Sequence, residues 1–209
     1  PNTGRMIVWG PAPTRLTPQM CFNSPAIREA VKKRARLIGE DITKEVESLK
    51  RFGKEELFAG VIVGWEPMIG QDFETGEPLG YAALSHEGFG PQNPPADINA
   101  ERAKIIQEFI EWWAKNLAEA GVQQEKLYAH FALPPPPDNL QSLHSAERNA
   151  YAEGSHFVTP EMFFSPYYRP GISTYPEPGL FKFMHEELAK HGNPAWASSE
   201  GTNVIPNGS

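Results

Sequence analysis

Over 209 residues the chain holds a single cysteine, Cys21. No disulfide can therefore form within it, and no multi-cysteine zinc site can be built. It has no apolar run of about 18 residues, the length a membrane-spanning helix requires. Positive charge is scarce: 19 Lys and Arg against 26 Asp and Glu leave a formal net charge of −7, without the basic footprint that nucleic acid attracts. The Gly-rich phosphate-binding fingerprint of dinucleotide folds is missing, as are tightly spaced metal motifs such as HxH and HExxH. What is plentiful is proline, 21 residues, and aromatic side chains, 11% of the chain with five Trp. With 40% hydrophobic and 22% charged residues the composition is that of a folded globular protein. Proline spread between apolar segments points to long ordered loops on a rigid scaffold, where function commonly resides. Aromatics in such loops suit flat ligands such as sugar faces.

Apolar runs alternate with helical periodicity. Met6-Ile7-Val8-Trp9 ends at Gly10-Pro11 and reads as a strand entering a loop. Ser24 is an N-cap with Pro25 at the first helical position, and Ile27, Val31, Ala35, Ile38, Ile42, Val46 and Leu49 form one stripe that stops near Gly53. Residues 57–65 are apolar without alternation, the pattern of a strand buried on both faces. A loop of about 30 residues follows Glu66-Pro67, long enough to suggest function. A second helix is predicted from about Asn99 to Ala120, with Ile106, Phe109, Ile110, Trp113 and Leu117 inward and Gly121 as its stop. Lys126 to Leu133 reads as a strand, 134–170 as a second long loop with short helical pieces, and Gly171 to Tyr175 as a short strand. A helix over about Gly179 to His191 carries Phe181, Met184 and Leu188 inward, and Ala195 to Ser199 is a last strand ending at Glu200-Gly201. The order predicts an α/β fold with long loops at the carboxyl ends of strands, where ligands bind in such folds. Too few strands are present for a closed eight-stranded barrel. The choice lies between an open doubly wound sheet and an interior piece of a barrel, and the missing dinucleotide fingerprint favours the latter.

Two glutamates, Glu66 and Glu200, end predicted buried strands. A carboxylate leaving a strand into a wide loop faces the cleft above the sheet, where burial and neighbours tune its proton affinity. Glycoside hydrolysis needs such a pair, one a proton donor and the other a nucleophile or base. The competing structural role for each is pairing with a loop arginine or capping a helix. By strand count the two lie three strands apart, which in a closed eight-stranded barrel sets them across the mouth from each other.

The stretch Cys21-Phe22-Asn23-Ser24-Pro25-Ala26-Ile27-Arg28, a long helix, and a strand ending in Glu66 together resemble the third-to-fourth strand region of the clan A glycoside hydrolases, nearest the family 42 beta-galactosidases and their relatives. The resemblance covers roughly residues 5–205. It implies a (β/α)8 TIM barrel of which the chain supplies about strands 3 to 7, so that 1–209 is one catalytic-barrel domain with strands 1, 2 and 8 outside it. It also implies a retaining mechanism that needs no cofactor or metal, with Glu66 as acid/base at the end of strand four and Glu200 as nucleophile at the end of strand seven. The clan's usual Asn before the acid/base is replaced here by Trp65. Tyr175 stands where the clan often keeps a tyrosine near the nucleophile.

Further candidates for contact with a carbohydrate substrate are His130 at a strand end, Trp65 and Trp196 as stacking walls, and Asn23 and Arg15 in the loop after the first strand. Packing is the competing role for each. Three alternatives stay open: an inverting, beta-amylase-like barrel glycosidase, a carbohydrate-binding barrel without chemistry, and a metal-dependent hydrolase drawing on His86, His130, His144, His156 and Glu66. Carboxyl separation divides retention, near 5 Å, from inversion, roughly 6.5–9.5 Å. The retaining reading expects the two carboxyls within about 10 Å, and an incomplete barrel is expected to expose strand edges and aggregate.

Overall fold

The computed structural model describes residues 5–6, 14–15, 20–64, 67, 69, 80–132, 158–174 and 178–199. Helix α1, Pro25–Arg51, starts where the sequence says it should: the Ser24 hydroxyl accepts from the Ile27 amide at 3.3 Å, and Pro25 occupies a position whose N–H would have no helical partner. It stops on a Schellman turn in which Gly53 (φ +63°) donates to Lys50 and Lys54 donates to Leu49. Lys50 and Arg51 sit in the last turn, against the negative end of the helix dipole. Ser24→Ala removes the cap oxygen and is expected to lower unfolding free energy by about 1 kcal/mol, read from the urea midpoint. An unchanged midpoint would mean the cap contributes nothing.

Helix α3, Ile98–Glu119, is capped by Asp97, whose carboxylate accepts from the Asn99 and Ala100 amides at 3.0 Å each. Its face of Ile105, Ile106, Phe109, Ile110, Ala114 and Leu117 is buried. Helix α1 docks on it through Phe22 stacked on Phe109, the Trp112 indole donating to the Arg28 carbonyl at 2.8 Å, and the Arg28–Glu108 ion pair at 3.1 Å. The short α2, Tyr81–Leu84, lies within the long loop expected after residue 66. The last helix, α4 (Pro178–Lys190), buries Leu180, Met184 and Leu188, while Phe181 is half-buried.

The strands are short. β1 (Arg5–Met6) pairs antiparallel with β2 (Thr14–Arg15), β3 (Val61–Val63) pairs parallel with β4 (Leu127–Ala129), and β5 (Phe131–Ala132), β6 (Gly171–Ser173) and β7 (Ala197–Ser199) form a parallel three-stranded sheet. A parallel bridge from Tyr128 to Arg169 links the two parallel pieces on either side of His130. β6 is the central strand and fully buried, whereas Leu57 and Ile62 are 64% and 47% exposed. The strand predicted over 57–65, buried on both faces, is therefore corrected: Glu55–Leu57 is a 3-10 turn, and β3 buries one side only.

The (β/α)8 TIM barrel is overturned. Among the described residues the sheets are open, with two or three strands each, and no ring closes. The opening segment, expected as a parallel member, is half of an antiparallel pair at Arg5–Met6; Ile7, Val8 and Trp9 lie outside the described residues. Alternating strand and helix dictates parallel pairing and crossovers, but it carries no information about closure, and that was the step the sequence could not support.

Candidate functional site

At the carboxyl ends of β6 and β7 the side chains turn from apolar to polar. Ser173 and Thr174 are both fully buried. The Ser173 hydroxyl lies 2.8 Å from His130 Nε2, and the Thr174 hydroxyl lies 2.6 Å from that of Ser198. Ser199 donates through its hydroxyl to the Ile172 carbonyl at 3.1 Å, and its own carbonyl accepts from the Thr174 amide at 3.0 Å. The two buried hydroxyls of Ser173 and Thr174 thus each have a partner, and a buried hydroxyl left without one would cost more than a hydrogen bond returns. The cluster sits where parallel strands deliver their ligand-binding residues.

β6 reaches this end because Gly171 lets it lie between two neighbours. A side-chain carbon there would stand 2.1 Å from the Ala129 carbonyl oxygen and 3.4 Å from that of Ala197. Below the cluster, Phe131 packs on Phe163 and Tyr168 at ring distances of 5.9 and 6.2 Å. The Tyr168 phenol donates to the Met162 carbonyl at 2.6 Å, and burial, then the Glu111 carboxylate, raises its pKa, so it stays a protonated donor. At the start of α3 burial pulls the Arg102 guanidinium down to about 10, still charged at neutral pH, with Asn99 accepting from it at 3.3 Å.

Of the residues singled out in the sequence, His130 is the one this cluster contains. It stands between β4 and β5, half-buried. Trp196 precedes β7 and so lies at the amino end of that strand, edge-on to Phe181 at 5.9 Å and His185 at 5.6 Å, about 10 Å of extended chain from Ser199. Asn23 donates to the Ala83 carbonyl at 3.0 Å and to Glu87 at 3.1 Å, tying the α1 entry to the α2 segment. Arg15 is in β2, paired opposite Arg5, and not in a loop; its backbone alone is described. Glu66, Glu200, Trp65 and Tyr175 lie outside the described residues, and with them the separation of the two carboxyls.

His144 and His156 lie outside them as well, and His86 is exposed after α2; among the described residues no three His, Cys, Asp or Glu gather into a metal-binding group. Also among these residues, no helix is long and apolar enough to cross a membrane. Ser173, Thr174, Ser198 and Ser199 were missed. Their signal was Ser-Thr and Ser-Ser ending short strands immediately ahead of Tyr175 and Glu200. No family model, no curated protein and no solved structure matches the chain.

Proposed function

We propose that this protein is a glycosidase, cleaving O-glycosidic bonds of a carbohydrate with Glu66 as acid/base and Glu200 as nucleophile. The observation that supports this reading is the common direction of the strands leading to both residues. β3 and β7 belong to parallel ladders, Glu66 is the third residue after Val63, and Glu200 follows Ser199 directly. The reading needs no closed barrel. It does make a demand on the loops: neighbouring strands lie about 4.8 Å apart, so three steps across a flat sheet span about 14 Å, and the chain beyond β3 must close that gap to about 5 Å for retention.

In this scheme Glu66 protonates the departing glycosidic oxygen while Glu200 attacks the anomeric carbon. Water activated by Glu66 then releases the sugar from Glu200 with its configuration retained. A panel of aryl glycosides, followed by proton NMR of the first-formed anomer, tests it. Hydrolysis with retention is expected. First-formed product of opposite configuration would make Glu200 a base acting on water, and no turnover across the panel would overturn the enzyme reading.

A further inference from the structure

Helix α1 carries its charge in two blocks. Residues 28–36 hold Arg28, Lys32, Lys33, Arg34 and Arg36 against Glu29 alone, and residues 40–47 hold Glu40, Asp41, Glu45 and Glu47 against Lys44 alone. Between the blocks lies Leu37, a large apolar side chain that is 57% exposed. Arg34 and Asp41, three residues before it and four after, share its face and are exposed as well. Val31, Ala35 and Val46 are the buried positions of this helix, so the face of Leu37 is turned outward. Lys33 and Arg36 reach Glu29 and Glu40 at 3.8 and 2.7 Å. Among the described residues neither Arg34 nor Asp41 has an ion-pair partner.

We propose that this face of α1 binds a second copy of the chain, the two α1 helices lying antiparallel across a two-fold axis at Leu37. The axis sets Leu37 against its own copy and places each residue before it opposite the one equally far after it. Arg34 then stands between Glu40 and Asp41 of the second copy, and the symmetric contact is made on the other side. Parallel helices would set basic block on basic block, so the order of charge along α1 selects the antiparallel pairing. Such a contact is isologous and closes at two chains. Positions 30, 34, 37, 41 and 44 follow the alternating four-and-three spacing by which helices pair, and charges within such a seam fix partner and direction at a cost in affinity. With one helix and few apolar groups from each copy, the dimer is weak, with Kd on the order of 10–100 μM.

Sedimentation equilibrium of the full chain at low salt, over roughly 1–500 μM so as to bracket that Kd, tests the proposal. The parent is expected to pass from monomer to dimer across this range. Arg34→Asp and Asp41→Arg are each expected to weaken self-association by about 10-fold or more, since each turns two symmetric attractions into repulsions. Mixed one to one, the two variants are expected to recover most of the lost affinity, because both contacts between positions 34 and 41 are again of opposite sign. Leu37→Asp brings two like charges together on the axis and is expected to leave only monomer. All three side chains are exposed, so the substitutions act on the contact and spare the core. A parent that stays monomeric throughout overturns the proposal. So does a dimer indifferent to either charge reversal or to Leu37→Asp, which would place the contact on another face, and so does a mixture no tighter than its components.

Discussion

Glu200→Ala is expected to abolish turnover of every glycoside, by about six decades in kcat, the scale on which enzymes lose an attacking nucleophile. The reason is that no covalent intermediate can form, whatever the leaving group. Glu66→Ala divides substrates instead. A dinitrophenyl leaving group departs without a proton, so the first step survives, while an alkyl or sugar leaving group, which must be protonated, does not react at a useful rate. The second step then limits, because nothing activates water, and the glycosyl-enzyme accumulates as a burst. Azide needs no deprotonation and is expected to release that intermediate as a glycosyl azide of retained configuration. Azide acting on Glu200→Ala attacks the substrate from the vacated side and gives the opposite anomer. Swapped azide products would reverse the two roles, and unimpaired turnover in both variants would move the chemistry elsewhere.

The largest expected effect on stability comes from Gly171→Ala. One methyl group placed 2.1 Å from the Ala129 carbonyl oxygen and 3.2 Å from its carbon meets backbone, which cannot rotate aside as a side-chain tip would. Relief requires the start of β6 to move away from the end of β4, to which the residue two before Gly171, Arg169, is bonded through its backbone. We expect a loss of about 4 kcal/mol or more, a large share of the 5–15 kcal/mol typical of a folded domain, and a fall in Tm of roughly 10 °C for a chain of this size. Gly53→Ala is the comparison. Its added carbon meets nothing within 4 Å, and only the φ of +63° opposes it, so about 1 kcal/mol is expected. Urea unfolding of both variants checks the contrast, and a Gly171→Ala chain as stable as its parent would contradict the close approach of these strands.

Helices were legible because they declare themselves twice, by a repeating apolar stripe and by their caps. Ser24-Pro25 and Gly53 bracket α1, and Gly121 follows α3 within two residues of its end. Strands were less so. A continuous apolar run such as 57–65 has no period to show where pairing stops, and Leu57 is spent in a turn with its side chain in water. Buried hydroxyls were invisible for a different reason: Ser173 and Thr174 read as turn formers, and only the partners at His130 and Ser198 make them interior residues. Glu66 and Glu200 stood out because a carboxylate directly after an apolar strand is conspicuous in one dimension, whereas their mutual distance is a property of loops that composition does not encode.

The contacts that hold the molecule together join residues at very different distances along the chain. Thr174 meets Ser198 across 24 residues, His130 meets Ser173 across 43, and Arg28 meets Glu108 across 80. Closing a loop costs entropy that grows with the logarithm of its length, and parallel pairing allows no short hairpin to begin the process. Loop closure alone therefore favours the β6–α4–β7 unit assembling first, β5 joining it next, and the docking of α1 on α3 coming late. Folding is expected to be slower than that of a helical bundle, and a truncation that removes β7 withdraws the most local parallel pairing, on which this order of closure depends.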